Sequence, residues 1–382
     1  MRTDRSVPRV GSFGTNSATR GRRAGSVGAA RPTGARRGGD GRHVVSGLGS
    51  DVTDVPRAAD GASRTAPAVG PLVDGVWTAD PSGHVWDDVL YVYTSHDEET
   101  GVPRDDDGSQ YDMRDYHVLV LADAGGPVED HGPVLHVDDV PWAVRQMWAP
   151  DAARRGDTFY LVFPAKDADG VFRIGVATSS SPTGPFVAEP EPLAGVGSID
   201  PAVLVDDDTP YLYVGGLMGG QLQRWQGDRY TGVDAYPAPD APALGPRVAR
   251  MTDDLLALAE PTREVVILDE AGEPLTHGDP RRFFEGPWVS RIDGVLHLLY
   301  STGEAHTLAH ATSDSPYGPF TYRGTVLEPV AGWTTQGSVV QLDGRWYLLY
   351  HDAQVSGRDH LRNVRIAPLT VHPDGRLTAE VR

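Results

Sequence analysis

The chain has 382 residues, with 34 basic and 53 acidic side chains and no cysteine, and its formal net charge is −19 at pH 7. This charge argues against nucleic acids and anionic membranes as partners, because like charges repel. The lack of cysteine excludes disulfides, thiolate catalysis and cysteine-ligated zinc, and no apolar run approaches the roughly 18 residues of a membrane span.

The first 70 residues differ in composition from the rest of the chain. Residues 1–70 contain 12 Arg and 5 Asp, a net charge of +7, which leaves −26 on residues 71–382. Their hydrophobicity is too low to bury a core, so we predict a disordered tail. We favour an incorrectly assigned start of the chain over a basic arm for an anionic surface.

The tail also bears on localisation. It has no apolar run as long as a secretory signal requires, although Arg22-Arg23 resembles part of a twin-arginine signal. We therefore expect a cytoplasmic protein, and an incorrectly assigned start would leave secretion open.

From residue 71 onward the chain repeats one hairpin pattern. The first copy begins at Asp80-Pro81, turns at Asp87-Asp88 and continues into the β-branched and aromatic run Val89–Tyr93. In each copy a polar residue stands 9 to 12 residues before the centre of such a run. The other copies are Asp151 before Phe159–Phe163, Asp200 before Tyr211–Val214, Glu285 before Leu296–Tyr300 and Gln336 before Trp346–Tyr350. A repeated supersecondary unit predicts a repeat architecture.

Further strands are predicted after three of these hairpins, at Tyr116–Ala122, Arg173–Thr178 and His306–Thr312. The last two lead into matching turns, Ala177–Phe186 and Ala311–Phe320. Four strands per unit are therefore plausible, and five such units can close into a ring. The sequence predicts an all-β fold in which residues 71–382 form a five-bladed β-propeller after the tail.

Two segments complete the assignment of elements. Arg362–Thr370 is predicted to be the last strand, followed by a turn at Pro373-Asp374-Gly375. Residues 226–277 are less regular, and Asp253–Ala259 is consistent with one or two helical turns.

The leading residues of the five hairpins are the candidate functional residues. Because the innermost strands of a propeller line its channel, equal offsets predict that Asp80, Asp151, Asp200, Glu285 and Gln336 meet at one end of the axis. A lone Asp-Pro more often begins a strand or turn. Four carboxylates in register repel one another, so their presence indicates a functional role, a bound metal or a partner cation. A metal site, a sugar-binding site and a glycosidase site all fit this pattern.

Short motifs around these residues resemble those of glycoside hydrolase family 43, the five-bladed arabinofuranosidases, xylosidases and arabinanases. The resemblance covers residues 78 to about 375. The motifs are Ala79-Asp80-Pro81-Ser82, Met147-Trp148-Ala149-Pro150-Asp151, Phe284-Glu285-Gly286-Pro287, Tyr93–Asp97 and Gly337–Val340.

This resemblance implies an inverting glycosidase acting on arabinofuranosyl- or xylosyl-containing saccharides. Asp80 would be the general base, Glu285 the general acid, and Asp151 the group that orients Glu285 and keeps it protonated. An inverting mechanism places the two catalytic carboxyl groups roughly 6.5–9.5 Å apart, with room for water between them.

The resemblance also implies binding residues. The candidates for substrate contact are Trp77, His96, Trp148, Asp200, Gln336 and Arg362. Alternatives are a surface role for Arg362 and core positions for the tryptophans. Many relatives carry a histidine in place of Gln336, and this histidine contacts an axial metal, often calcium. We therefore expect no required cofactor, and only weakly bound Ca²⁺ on the axis if any.

Two other functions remain as alternatives. A non-catalytic carbohydrate-binding propeller would not need a proton donor such as Glu285 in the apolar stretch Phe283–Trp288. The second alternative is a galactosidase or fructosidase on the same fold. A β-fructosidase is less favoured, because the chain has no Asn-Asp-Pro opening motif and no Glu-Cys pair. In every case the expected partner is a glycoside or oligosaccharide.

Overall fold

The computed structural model describes residues 70–303 and 305–381. The predicted tail, residues 1–70, lies outside the described residues apart from Gly70. The described residues form 24 β-strands and three single-turn 3₁₀ helices. None of the described helices is long and apolar enough to cross a membrane.

The strands form five successive sheets, here called blades I to V, which are antiparallel except for one short parallel pairing in blade IV. Blade I contains β1 (Thr78–Trp86), β2 (Val89–His96), β3 (Asp115–Leu121), β4 (Glu129–Asp130) and β5 (Leu135–His136). Blade II contains β6 (Asp151–Arg155), β7 (Thr158–Lys166), β8 (Phe172–Ser179) and β9 (Val187–Ala188). Blade III contains β10 (Ala202–Asp206), β11 (Thr209–Val214), an inserted ribbon of β12 (Trp225–Gln226) and β13 (Arg229–Tyr230), then β14 (Arg247–Arg250) and β15 (Arg263–Glu264).

The last two blades follow the same order. Blade IV contains β16 (Ile267–Leu268), which pairs in parallel with the outer strand, then β17 (Phe283–Ile292), β18 (Val295–Thr302), β19 (Leu308–Ser313) and β20 (Phe320–Leu327). Blade V contains β21 (Gly337–Leu342), β22 (Arg345–Asp352), β23 (Asn363–Val371) and β24 (Leu377–Ala379). The 3₁₀ helices span Val137–Asp139, Met218–Gly220 and Leu222–Arg224.

The five hairpins predicted from the sequence are the two leading strands of each blade, and the five-bladed propeller is confirmed. Their turns explain why the prediction succeeds. In blade I Asp87 and Asp88 have φ values of 52° and 63°, and in blade IV Asp293 and Gly294 have 49° and 83°. Two consecutive left-handed residues make the tight turn that matches strand twist, and Asp and Gly are the residues that tolerate it.

Five hydrophobic clusters fill the interfaces between neighbouring blades. Their side chains alternate along the strands, as expected for sheets buried on facing surfaces. The cluster between the last and first blades closes the ring, with Leu90 and Val92 of blade I packed among Val340 and Leu349 of blade V. The other four clusters join blades I and II, II and III, III and IV, and IV and V.

The two matching turns found in the sequence have the same structural role. The hydroxyl group of Tyr93 in blade I donates to the carbonyl oxygen of Pro182 in blade II at 2.6 Å. The hydroxyl group of Tyr213 in blade III donates in the same way to the carbonyl oxygen of Pro316 in blade IV. Each turn thus fastens its blade to the preceding one.

The predicted last strand needs correction. It begins at Asn363 rather than Arg362, and β24 follows it as one further strand that pairs with it. The turn between them lies at Pro373–Gly375, as predicted.

The segment Asp253–Ala259 is not helical. Met251 and Leu258 form an isolated antiparallel bridge. The side chain of Thr252 accepts from the Ala257 N–H and that of Asp254 accepts from the Leu256 N–H. These local side-chain bonds compete with helical backbone bonds and favour a turn.

Candidate active site

A pocket with a volume of about 140 Å³ lies where the leading residues of the hairpins converge. All five blades or the loops that follow them contribute to it. Four of the five predicted residues line the pocket, namely Asp80, Asp200, Glu285 and Gln336. The fifth, Asp151, does not.

Left-handed backbone at these positions directs the carboxylates. Asp80 has φ 53° and Asp200 has φ 55°, and Gly286, which follows Glu285, has φ 66°. The β1–β2 register shifts beside Asp80, and the β17–β18 register shifts on both sides of Glu285. Such bulges re-aim a side chain at the end of a strand, and Asp tolerates the left-handed region better than most residues.

Asp80 is held as an oriented carboxylate. It is only 4% exposed. Arg362 donates from Nη1 to Oδ1 at 2.9 Å and from Nη2 to Oδ2 at 3.3 Å, and the Ser95 hydroxyl group donates to Oδ2 at 2.8 Å. The guanidinium and the hydroxyl group together stabilise a negative charge on this residue.

Arg362 is buried between two carboxylates. Asp97 accepts two bonds of 2.8 Å, from Nε and Nη2, and the Tyr111 ring centroid lies 5.0 Å from the guanidinium. Burial alone would lower the pKa of Arg362, but Asp80 and Asp97 outweigh it and raise that pKa. A buried cation with two anionic partners stays charged, so Arg362 fixes Asp80 from behind.

His351 supports the backbone of Asp80 and was not identified from the sequence. The Asp80 N–H donates to His351 Nδ1 at 2.9 Å, so Nδ1 is an acceptor. Nε2 lies 3.2 Å from the carbonyl oxygen of Thr334, to which it can donate. Burial, and next the charge of Arg362, lower the pKa of His351 to about 4. The ring is therefore neutral near pH 7.

Glu285 has the properties of a proton donor. Its carboxyl group faces the pocket and accepts no hydrogen bond from any of the described residues. Burial and the negative charge of Asp80 raise its pKa to about 8, with Arg362 acting in the opposite direction. Glu285 is therefore mostly protonated near pH 7.

Asp200 lies next to Glu285. Its Oδ2 accepts from the Gly286 N–H at 2.9 Å. Burial raises the pKa of Asp200, and the charges of Glu285 and Asp80 raise it further. Carboxyl groups this close disfavour a second negative charge, so Asp200 and Glu285 titrate as a coupled pair.

Asp151 does not line the pocket, and its carboxylate is bonded to residues of other blades. Its carboxylate accepts from the Val203 N–H at 2.5 Å and lies 2.8 Å from His84 Nε2. The Ser82 hydroxyl group also donates to it. These donors come from blades I and III, so Asp151, which begins β6 of blade II, connects three blades.

The six candidate binding residues divide into two groups. Trp148, Asp200, Gln336 and Arg362 line the pocket, whereas Trp77 and His96 do not. His96 is the last residue of β2, between Ser95 and Asp97, and alternation along the strand directs it to the face opposite that of Ser95. There it forms a bond of 2.9 Å with Asp115. The carbonyl oxygen of Trp77 accepts from the Asp97 N–H at 2.9 Å, before β1 begins.

Aromatic residues that the sequence analysis did not select complete the pocket. Tyr111, Phe284 and Trp333 line it. Trp333 is 40% exposed, and the Arg104 guanidinium lies 5.7 Å from its ring centroid. Exposed aromatic rings beside polar groups suit the faces of sugar rings.

The pocket is lined by side chains that carry oxygen atoms, namely Asp80, Asp200, Glu285 and Gln336. Calcium prefers six to eight oxygen ligands, yet both oxygens of Asp80 already accept from Arg362. Among the described residues, the group of three potential ligand residues lies elsewhere, at His96, Asp115 and His117. Weak binding of calcium on the axis therefore stays a prediction.

Comparison with known proteins gives consistent results. The family model described as Glycosyl hydrolases family 43 matches residues 71–377. The chain is 51% identical over 324 residues to Xylosidase/arabinosidase 43A of Humicola insolens, which covers 82% of this chain and 99% of the relative. It is 47% identical over 310 residues to a xylosidase/arabinosidase of Bacteroides ovatus, covering 80% and 95%.

Solved structures agree with this assignment. One is a GH43 beta-xylosidase/alpha-arabinofuranosidase from a compost microbial metagenome, in complex with xylotriose and in a calcium-free form. It is 52% identical to this chain, with a TM-score of 0.79, and the match covers 81% of this chain and 96% of that chain. Another is the GH43_1 enzyme of Xanthomonas citri complexed with xylotriose, 57% identical, with a TM-score of 0.77 and coverage of 81% and 92%. The chain therefore belongs to glycosyl hydrolases family 43 and is a glycosidase.

Proposed function

We propose that this protein is an inverting glycosidase that hydrolyses xylosyl or arabinofuranosyl linkages in hemicellulose-derived saccharides. The observation that carries the proposal is the pairing, in one pocket, of a carboxylate stabilised as an anion and a carboxyl group that retains its proton. These groups are Asp80 with Arg362, and Glu285. Hydrolysis of a glycoside by inversion requires one of each.

Asp80 is the general base in this proposal. Its carboxylate takes a proton from a water molecule, whose oxygen attacks the anomeric carbon. Arg362 and Ser95 occupy fixed positions on the carboxylate and hold it in one orientation. Orientation matters because a base acts only within hydrogen-bonding reach of the attacking water.

Glu285 is the general acid. It donates its proton to the glycosidic oxygen as the bond to the anomeric carbon breaks, so the departing sugar leaves as a neutral alcohol. Exchange with solvent then returns a proton to Glu285 and removes one from Asp80. The two carboxyl groups should be roughly 6.5–9.5 Å apart, which leaves room for the attacking water.

We assign the role of keeping Glu285 protonated to Asp200 rather than Asp151. Asp200 accepts from the N–H next to Glu285 and shares the same buried surroundings. The carboxylate of Asp151 is occupied by donors of other blades. A second carboxyl group beside the acid makes loss of its proton less favourable.

The names of the relatives support the proposed sugar specificity. Proteins 44–51% identical over most of this chain are named xylosidase/arabinosidase or beta-xylosidase, and two similar structures hold xylotriose. The exposed ring of Trp333 at the pocket is suited to stack on a pentose ring, whereas Trp148 is buried among Tyr111 and Phe172.

The test is a comparison of nitrophenyl xyloside, arabinofuranoside and galactoside, followed by proton NMR of the first sugar released from the preferred substrate. We expect activity on the first two, little on the third, and a product of inverted anomeric configuration. A product with retained configuration would contradict the single-displacement mechanism.

A further inference from the structure

A cluster of two histidines and one aspartate lies on blade I, outside the pocket. His96 ends β2 and Asp115 begins β3, and His117 follows on the same face of β3. Each offers one potential ligand atom, and these atoms lie within 4.8 Å of one another. The His96, Asp115 and His117 side chains are 23%, 12% and 9% exposed, so the cluster is mostly enclosed but reachable from solvent.

A fourth residue fixes the orientation of one histidine. His117 Nδ1 lies 2.8 Å and 3.0 Å from the two carboxylate oxygens of Asp130. A carboxylate that accepts the Nδ1 proton leaves Nε2 as the free, electron-rich nitrogen of the ring. Such a carboxylate–histidine pair typically orients a metal-binding imidazole.

The free nitrogen of His117 faces another acceptor. Its Nε2 lies 3.5 Å from Asp115 Oδ1, and His96 Nδ1 lies 2.9 Å from the same oxygen. A separation of 3.5 Å is too long for a good N–H···O bond. Ligand atoms in a tetrahedral zinc site are roughly 3.3 Å apart when each bond is about 2.0–2.1 Å.

The charge balance of the cluster also suits a cation. Asp115 and Asp130 provide two carboxylates for two imidazoles. The negative charge of these two carboxylates attracts a metal ion to the cluster.

We propose that His96, Asp115 and His117 bind a zinc ion, with Asp130 orienting His117 and water as the fourth ligand. Two imidazole nitrogens and one carboxylate oxygen match zinc and its first-row neighbours. Calcium is not the expected ion, because it requires more oxygen ligands than the cluster offers.

The zinc site would act as a clamp behind the pocket. His96 lies between Ser95, which bonds Asp80, and Asp97, which bonds Arg362. An ion bound to His96 and to β3 would restrain this end of β2. The proposal does not depend on the assignment of the catalytic residues.

Zinc binding can be measured on the full chain after EDTA treatment and dialysis. Calorimetric titration with zinc chloride should give one site per chain, and cobalt chloride should give the visible absorption bands of a tetrahedral ion. Zinc at well above its dissociation constant should raise the melting temperature by a few degrees, on the order expected when a ligand binds only the folded state.

Two variants and one control assign the site. Asp130→Asn should weaken zinc binding roughly 10–100-fold, and His117→Ala should weaken it more. The matched control is His131→Gln, whose histidine lies on the same blade 3.3 Å from a single carboxylate, Glu129, and is more exposed. This control should bind zinc like the unmodified chain. If His117→Ala does not fold without metal, as judged by circular dichroism, Asp130→Asn provides the measurement.

Four results would overturn the proposal. The first is no binding at micromolar zinc, and the second is equal zinc affinity of Asp130→Asn and the unmodified chain. The third is a loss of zinc affinity in His131→Gln as large as that in Asp130→Asn, and the fourth is displacement of zinc by similar concentrations of calcium.

Discussion

The replacement Glu285→Gln tests the proposed proton donor most directly. The glutamine side chain keeps the size of the glutamic acid but cannot donate a proton to a departing sugar oxygen. General acid catalysis contributes roughly 10²–10⁴-fold to such reactions. We expect a loss of that size in kcat/KM on xylobiose, whose leaving group is a sugar alcohol.

The pKa of Glu285 sets the expected pH dependence. With a pKa of about 8, about nine-tenths of the side chain is protonated at pH 7 and about one-tenth at pH 9. The kcat/KM of the unmodified enzyme on xylobiose should therefore fall about tenfold for each pH unit above 8. This alkaline limb should be absent from Glu285→Gln.

The assay compares xylobiose with dinitrophenyl xyloside across pH 5 to 10. Dinitrophenolate leaves without a proton, so this substrate should recover most of the activity lost in Glu285→Gln. Asp80→Asn is the matched variant, because it removes the base that activates water, and a better leaving group should not restore its activity. Equal recovery in both variants, or an alkaline limb centred near pH 5, would refute this assignment of acid and base.

Three further predictions concern the residues around Glu285. Asp200→Asn should move the alkaline limb of the pH profile to lower pH by on the order of one unit. Asp151→Asn should leave this limb in place and lower the free energy of unfolding by about 1–3 kcal/mol, measured in urea. The opposite pattern would show that Asp151 is the residue that keeps Glu285 protonated. The raised pKa of Glu285 gives stability that is fully present below pH 4.5 and is lost as pH rises to about 8, by up to roughly 5 kcal/mol. The melting temperature of Glu285→Gln minus that of the unmodified protein should therefore increase as the pH rises from 5 to 8. Parallel curves of melting temperature against pH would contradict the raised pKa of Glu285. Arg362→Met should lower the free energy of unfolding by about 3–5 kcal/mol, because it leaves two buried carboxylates unpaired. A loss below 1 kcal/mol in urea unfolding would show that these carboxyl groups are neutral.

Local sequence determined the blades. The period-two pattern of apolar residues and the turn pairs Asp87-Asp88 and Asp293-Gly294 act within about ten residues, so each hairpin could be identified without its neighbours. The regular offset of the polar residues also brought Asp80 and Glu285 to the same pocket. These features depend on strand alternation and turn geometry alone.

The sequence could not separate Asp151 from Asp200, since both lead a hairpin at a similar offset. Only the packed blades show that the Val203 N–H and His84 bond the carboxylate of Asp151, while Asp200 lies beside Glu285, the proposed acid. The position of a motif in a hairpin does not reveal which donors from other blades will reach its carboxylate.

Tertiary structure decided which residues support Asp80, the proposed general base. Arg362 bonds Asp80 across 282 residues of sequence, and His351 does so across 271. Closing the ring places the last blade against the first, so these partners meet only when all the intervening blades are folded. A charge buried at that junction persists only because partners of opposite charge reach it from distant parts of the chain, and no local pattern in the sequence carries this information.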